Sequence, residues 1–223
     1  MKEKIKTKIK NNRYIIYISI PFLLIILLIT AKVIAGRELY IDKLAYHLFI
    51  EKLRNDKLTT FMKLATKLSN PEVMIVIAII SILFCIKLIK NKKLSLGIIL
   101  NLAGITIINQ ILKFIFRRER PTGYRLIEMS GYSFPSGHAM ASLAFYGLLI
   151  YITKRLVKNK YLKILLITLN IAIIILIGVS RIYLGVHYLS DVLTGYSISI
   201  IYLLITTKLL NKYKVFPLIS HNS

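Results

Sequence analysis

A histidine in the last third of the chain has the spacing of an activated nucleophile. His187 lies four residues before Asp191, so both side chains share one face if the segment is helical. The carboxylate would orient the imidazole and stabilise its cation, which leaves the other ring nitrogen free to attack phosphorus. A structural His/Asp pair buried between helices is the alternative interpretation.

A guanidinium near hydrocarbon indicates that this histidine acts on an anion. Arg181 lies six residues before His187, at the end of an apolar run. A charged side chain at the centre of a membrane helix costs about 2.5 to 3.5 kcal/mol, and less toward the helix ends. Arg181 therefore predicts an anionic partner, and Gly185 predicts a turn between two helices.

A second histidine follows a turn of the kind that begins a helix. The tetrapeptide Pro135–His138 (PSGH) immediately precedes an apolar run. Proline fits a first helical turn, and free N–H groups at a helix start point toward anions. Ser136 and Gly137 would hold phosphate oxygens, and His138 would protonate the leaving oxygen, a role worth about 10² to 10⁴ in rate. An ordinary capping turn is the alternative.

Two further cations lie where the third apolar run ends. Lys113 is seven residues before Arg120, and Pro121 then marks a helix end or turn. Phosphoryl transfer needs neutralisation of spreading oxygen charge, which lysine supplies as a point charge and arginine as a bidentate fork. Arg117 and Arg118 are ambiguous, because they could equally bind lipid headgroups.

Metal ligands are scarce in the chain. Asp191 is the only carboxylate in the last third, and no cluster of Asp, Glu, His or Cys has metal-ligand spacing. The single cysteine, Cys85, excludes an intrachain disulfide. The sequence therefore predicts a phosphatase without metal or other cofactor, in which the cations provide the electrostatic stabilisation.

The elements that must position these side chains are apolar helices. The chain has 223 residues, 56% of them hydrophobic, and a net charge of +23, which favours a membrane protein over a soluble one. Six uncharged runs predict an all-α, single-domain bundle (1–223) of six transmembrane helices, the shorter runs being extended by snorkelling lysines. The runs are 14–31, 73–86, 94–112, 139–153, 164–180 and 192–207.

The basic residues predict the orientation of this bundle. Of the 32 Lys and Arg residues, 18 fall in the N-terminal segment 1–13, the loops 87–93 and 154–163, and the tail. Short basic loops tend to stay in the cytoplasm. We therefore expect a multi-pass protein of the cell membrane with cytoplasmic termini and with all three motif segments on the extracytoplasmic face. Membrane lipids are expected partners of the lysine-rich ends, and nucleic acid is not.

A segment of different character, 36–70, lies between the first two runs. Its apolar positions recur at helical spacing, at Leu39, Ile41, Leu44, Ala45, Leu48 and Phe49. This pattern predicts an outer amphipathic helix, which either covers the site as a lid or simply rests at the membrane interface.

Together the three motif segments resemble the phosphatidic acid phosphatase type 2 family, in its bacterial membrane branch. The matching patterns are K-x6-RP at 113–121, PSGH at 135–138 and SR-x5-H-x3-D at 180–191. The resemblance implies a two-step reaction, in which His187 forms a phosphohistidine while His138 protonates the leaving group, and water then releases phosphate. The implied phosphate ligands are Lys113, Arg120, Ser136, Gly137 and Arg181.

The resemblance leaves the lipid open, because the motifs contact the phosphate and not the tail. Undecaprenyl diphosphate is preferred here because it is generated on the outer face, and phosphatidylglycerophosphate and phosphatidic acid are the alternatives. A lipid translocator or transporter is the competing class of protein, and a non-catalytic binder of lipid phosphates is a third. The sequence makes no prediction of oligomeric state.

Overall fold

The fold was analysed in a computed structural model, which describes residues 2–215, with side chains from residue 14 onward. The prediction that segment 1–13 is cytoplasmic rests on side chains that lie outside the described residues. Residues 216–223 of the tail also lie outside them. Eight α-helices and one π-helical turn (His47–Lys52) make up the described part, and no strand lies within it. The helices are α1 (Lys2–Ile34), α2 (Tyr40–Tyr46), α3 (Asp56–Lys67), α4 (Pro71–Lys87), α5 (Lys92–Phe116), α6 (Gly137–Leu156), α7 (Lys160–Tyr183) and α8 (Leu189–Lys212). The all-α prediction is confirmed.

Short polar side chains fix where several of these helices begin. Asn55, Asn91 and Asn159 precede α3, α5 and α7, and each side chain accepts a hydrogen bond from a backbone N–H three residues on. Pro71 occupies the first turn of α4, where its missing N–H costs nothing. These caps satisfy donors that a helix start leaves unpaired.

Helix α6 lies at the centre of the bundle and packs against α5, α7 and α8. Leu94 and Ile98 of α5, Phe145 and Leu148 of α6, and Ile177 of α7 are fully buried in the main hydrophobic cluster. Helices α7 and α8 approach closely at Gly178, where a Cβ atom would come within 2.2 Å of the Tyr196 hydroxyl. The outer helices are different, since α1 packs mainly on α8 and α4 on α5.

All six uncharged runs lie within helices, but six membrane spans are not confirmed. Four helical stretches are long and apolar enough to cross a membrane: Tyr14–Ile34, Lys92–Phe116, Lys160–Tyr183 and Leu189–Lys212. A fifth results if α3 and α4, which meet at a bend of 51°, form one broken span. Helix α6 is not in this group, although it packs against three of its members, α5, α7 and α8.

Segment 36–70 is helical, but it does not form one amphipathic helix. It is divided into α2, the π-helical turn and α3. In α2 the buried residues are Asp42 and Ala45, whereas Leu44 is 50% and Leu48 46% exposed. The apolar stripe is therefore only partly the inward face: Ala45 and Phe49 pack against the bundle together with the Asp42 carboxylate, whereas Leu44 and Leu48 point outward.

Candidate active site

The candidate site lies at the end of the bundle where α5 and α7 end and α6 and α8 begin. The connecting segments 117–136 and 184–188 meet there, and Leu126 N–H donates to the Leu184 carbonyl at 3.0 Å. Gly185 has a φ of +70°, and a Cβ atom there would lie 2.6 Å from the Tyr124 carbonyl oxygen. The predicted turn at Gly185 is confirmed, and glycine is the residue that this close approach permits.

His187 and Asp191 form the predicted pair. His187 Nδ1 lies 3.3 Å from Asp191 Oδ2, and His187 Nε2 lies 3.0 Å from the Arg120 guanidinium. A guanidinium can only donate, so Nε2 must be the acceptor and the ring proton must sit on Nδ1, facing the carboxylate. This is the tautomer that a nucleophilic Nε2 requires.

The surroundings of His187 keep its imidazole neutral. Burial lowers the pKa of His187 well below its usual value of 6.5, and Arg181, Arg120 and Lys113 lower the pKa further. These three cations therefore all act on the same ring. An imidazole that stays unprotonated retains the lone pair needed for attack.

Arg120 joins the connecting segments 117–136 and 184–188 around this histidine. Its guanidinium donates to the backbone carbonyls of Gly131, Val186 and Ser130 at 2.9, 2.9 and 3.2 Å. Lys113, from the last turn of α5, donates to the Tyr132 carbonyl. Both cations thus approach the site from the same side of the bundle.

The PSGH turn begins α6 beside the same site. Ser136 is the N-cap of α6, and its backbone N–H donates to the Asp191 carbonyl at 3.1 Å. Asn109 of α5 donates to the Pro135 carbonyl at 3.1 Å, and a Cβ atom on Gly137 would lie 2.8 Å from Asn109 Oδ1. The turn is thus held from two sides, with the N–H and the hydroxyl of Ser136 both engaged.

His138 and Arg181 are held by the junction between α3 and α4. His138 Nε2 lies 3.1 Å from Asn70 Oδ1, which holds the imidazole ring at this junction. Arg181 is 1% exposed, and one nitrogen donates to Thr66 Oγ1 at 2.6 Å. Its Nε and other terminal nitrogen have no partner within residues 14–215. Unpaired buried guanidinium donors favour a bound anion.

One cavity of about 880 Å³ connects most of these groups. Its polar end is lined by Lys113, Arg120, Gly137, His138 and His187. The cavity then continues between α4 and α5 as an apolar groove lined by Met74, Ile75, Leu102, Ala103, Thr106 and Ile107. Among the residues that the structure describes, no group of three His, Cys, Asp or Glu side chains could hold a metal ion.

Comparison with known proteins agrees with this arrangement. The model of the PAP2 superfamily matches residues 93–214, more than half of the chain. The chain belongs to the PAP2 superfamily. It is also 38% identical over 97 residues to phosphatidylglycerophosphatase B of Bacillus subtilis (strain 168), a match that covers 43% of this chain and 47% of that relative. The aligned part thus spans about half the length of the relative.

Two solved structures have a similar fold. A transmembrane PAP2 type phosphatidylglycerolphosphate phosphatase from Bacillus subtilis matches 89% of this chain and 98% of its own, with 26% identity and a TM-score of 0.77. LpxE of Aquifex aeolicus matches 73% of this chain and 92% of its own, with 26% identity and a TM-score of 0.57. The predicted family is therefore confirmed.

The structure of this PAP2 chain also resolves the two ambiguous arginines. Arg117 is exposed and stacks on Phe114, with its guanidinium carbon 4.6 Å from the ring centroid. Arg118 points inward and binds Asp191 Oδ1 at 2.6 Å and Asp42 Oδ2 at 3.0 Å. Only Arg118 therefore belongs to the surroundings of the site.

Four polar residues of this PAP2 protein contact Arg118 or the predicted site residues but have no recognisable spacing signal in the sequence. Asp42 contacts Arg118, and Thr66 contacts Arg181. Asn70 contacts His138, and Asn109 contacts the PSGH turn. None of the four has a distinctive spacing from its partner. The one available signal was a carboxylate, Asp42, among the apolar positions of segment 36–70.

Proposed function

We propose that the protein is a membrane lipid phosphatase that hydrolyses a phosphomonoester or diphosphate of a lipid through a phosphohistidine. The observation that carries this proposal is the cavity itself. Two histidines and two cations line its polar end, and an apolar groove leads away from them between α4 and α5. A phosphate headgroup fits the first part, and an acyl or prenyl tail fits the second.

In the first step, Nε2 of His187 forms a bond to phosphorus while the bond from phosphorus to the leaving oxygen breaks. His138 gives its proton to that oxygen. In the second step, His138 takes a proton from water, the water oxygen attacks phosphorus, and the bond to Nε2 breaks to release inorganic phosphate. Asp191 keeps the Nδ1 proton in place and stabilises the positive charge that develops on the ring.

The cations would neutralise the charge on the phosphoryl oxygens during both steps. Lys113 and Arg120 line the cavity, and Arg181 has two buried donors without a partner in the described chain. Gly137 would contribute its backbone, and Ser136 would hold the turn. Because these groups supply the electrostatic stabilisation that divalent metals supply elsewhere, we expect turnover in the presence of a chelator.

For the lipid, we propose phosphatidylglycerophosphate. Its support is the activity in the names of two relatives, a phosphatidylglycerophosphatase B and a phosphatidylglycerolphosphate phosphatase. The preference for undecaprenyl diphosphate stays a prediction, since it depended on the membrane face of the site, and phosphatidic acid stays an alternative. In every case the tail would enter sideways through the groove between α4 and α5.

For the topology, we propose six spans with cytoplasmic termini and an extracytoplasmic site. The central packing of α6 against three long apolar helices supports its membrane location. Single cysteines at Thr122 and Lys158, introduced after Cys85→Ala, should react with an impermeant maleimide from opposite sides of the membrane. Labelling of both positions from one side would contradict the six-span topology.

The function is tested by phosphate release from purified protein in detergent with a chelator present. The panel is phosphatidylglycerophosphate, undecaprenyl diphosphate, phosphatidic acid and p-nitrophenyl phosphate. We expect turnover that His187→Ala abolishes and that is highest with phosphatidylglycerophosphate. Undiminished turnover by folded His187→Ala protein would contradict the nucleophile assignment. Lipid movement across liposomes that survives loss of both His138 and His187 would instead favour a translocator.

A further inference from the structure

A buried network of charges lies behind His187, outside the substrate cavity. The Arg118 guanidinium is shared by two carboxylates, with nitrogens 2.6 Å from Asp191 Oδ1 and 3.0 Å from Asp42 Oδ2. The three side chains are 15%, 0% and 7% exposed in the order Arg118, Asp191, Asp42. None of them lines the cavity of about 880 Å³ that holds the histidines.

Asp42 is fixed in this network by α8. Its Oδ1 accepts from the Ser190 backbone N–H at 2.8 Å, and its Oδ2 accepts from the Ser190 hydroxyl at 2.7 Å. The Ser190 oxygen also accepts from Arg118 at 2.8 Å. A carboxylate that contacts the first turn of α8 is further stabilised by the positive end of the helix dipole. Helix α2 is thereby joined to the helix that carries Asp191.

Arg118 is suited to this position by its shape as well as its charge. Its planar guanidinium lies over the ring of Tyr188, 3.9 Å from the centroid, while it donates to two carboxylates and a hydroxyl. A lysine ammonium would provide the charge but not the fork and the flat stacking surface. The guanidinium also fixes Asp191 Oδ1, so that Oδ2 is the oxygen left for His187.

The summed charge of Asp42, Arg118, Asp191 and His187 is zero when His187 becomes positive. Asp42, Arg118 and Asp191 together carry one negative charge, which compensates the cation that forms on His187 when Nε2 binds phosphorus. Without Asp42, Arg118 would neutralise Asp191 alone, and less negative charge would remain to stabilise that cation. Without Arg118, two buried carboxylates would repel each other and Asp191 would lose its anchor.

We propose that Asp42 and Arg118 are positioning residues that act on His187 through Asp191. This inference rests on the proposed phosphatase function, which it deepens by making the activity of the nucleophile depend on the docking of α2. Neither residue lines the cavity of about 880 Å³ that holds both histidines, although both line a second cavity of about 640 Å³ that also reaches His187. Their effect should therefore appear in kcat and in the properties of the His187 ring, with little change in KM.

The first test uses Asp42→Asn and Arg118→Lys with p-nitrophenyl phosphate as substrate. Partners that orient metal-ligating histidines typically contribute a factor of about 10 to 100, and we expect kcat to fall by a similar factor here. The matched controls are Glu38→Gln, at an exposed carboxylate of the same segment that pairs with Lys43, and Arg117→Lys. Both controls should keep native kcat. A kcat for both network variants within about twofold of the controls would overturn the proposal.

The second test distinguishes a role through Asp191 from a general loss of structure. In an Asp191→Asn background, Asp42→Asn should lower kcat by less than about twofold, because residues that act as one unit are not additive. If Asp42→Asn lowers kcat by the same large factor in the native and in the Asp191→Asn background, the proposal is overturned. Ser190→Ala serves as a milder variant, which removes only the hydroxyl between the two charges, should either charge variant unfold.

A third measurement does not depend on turnover, and so separates failure of the network from failure of the proposed function. Nitrogen-15 NMR of histidine-labelled protein in detergent reports which ring nitrogen of His187 carries the proton. We expect Nδ1 protonation in the native protein, and a shift toward the other tautomer in Asp42→Asn and Arg118→Lys. His187 signals unchanged by both substitutions would overturn the proposal whether or not any lipid is hydrolysed.

Discussion

Replacing Asp191 by asparagine tests the orientation of the nucleophile with almost no change in shape. The carboxylate accepts from three donors, namely Arg118 at 2.6 Å, the Tyr188 N–H at 2.9 Å and His187 Nδ1 at 3.3 Å. An amide has a single acceptor oxygen, so its NH₂ group must face at least one of these donors in either orientation. Every orientation of the asparagine therefore disrupts at least one contact, and two if the NH₂ group takes the place of Oδ2.

The two orientations have different consequences. If the NH₂ group faces His187, the ring proton moves to Nε2 and the attacking nitrogen loses its lone pair. The equivalent change in a Ser-His-Asp triad lowers kcat by about 10⁴, so we expect a fall of about 10³ to 10⁴ for Asp191→Asn. If the NH₂ group faces Arg118 instead, a charge-assisted hydrogen bond worth about 1.5 to 3 kcal/mol is lost and the free energy of unfolding falls accordingly.

The assay is steady-state hydrolysis of phosphatidylglycerophosphate and p-nitrophenyl phosphate, with the thermal unfolding midpoint measured in the same detergent. KM should change by less than about threefold, since Asp191 does not line the cavity. Glu128→Gln, at an exposed carboxylate of the connecting segment 117–136, is the matched control and should be native in both measurements. A folded Asp191→Asn protein that keeps kcat within tenfold of native would refute the orienting role.

Three further predictions follow from the geometry. The lowered pKa of His187 means that its neutral form persists as the pH falls, so its NMR titration midpoint should lie well below 6.5, and a midpoint at or above 6.5 would contradict this. Ala103→Trp should fill the groove and raise KM for the lipid substrate but not for p-nitrophenyl phosphate. Ile111→Trp, on an exposed part of α5 outside the groove, should change KM for neither substrate. Equal changes in lipid KM in the two variants would argue against the groove. Gly185→Ala and Gly36→Ala both introduce left-handed strain of about 1 to 2 kcal/mol, but only Gly185→Ala adds a clash with a backbone carbonyl. The thermal unfolding midpoint of Gly185→Ala should therefore be the lower of the two. Equal midpoints would contradict the close approach at Gly185.

The helices were predictable because they follow from local sequence. Each uncharged run lies within one helix in the structure, because a helix satisfies its own backbone polar groups in an apolar environment. Segment 36–70 was less predictable because its buried face depends on a distant partner. Asp42 is buried by its bonds to Ser190, 148 residues away, and no periodicity within the segment contains that information.

In the candidate site, too, some features follow from local sequence and others depend on contacts between distant parts of the chain. The pairing of His187 with Asp191 was predictable from their spacing of four residues, which is about one helical turn. The position of the PSGH turn was predictable because it directly precedes in sequence the apolar run that forms α6. The inward direction of Arg118 and the contacts of Asn70 and Asn109 depend on how separate helices approach one another. Arg117 and Arg118 are adjacent in sequence, yet one is exposed and the other is paired with two carboxylates.

The most direct test of the phosphatase mechanism is to detect the phosphoryl group on His187. Nitrophenol is a good leaving group, so His138→Ala should still form the intermediate from p-nitrophenyl phosphate but lack the base that activates water. Rapid quenching in alkali, where phosphohistidine survives, followed by digestion and mass spectrometry should find one phosphate on the peptide that contains His187. A burst of nitrophenol with the phosphate on another residue, or on none, would contradict the assignment of His187 as nucleophile.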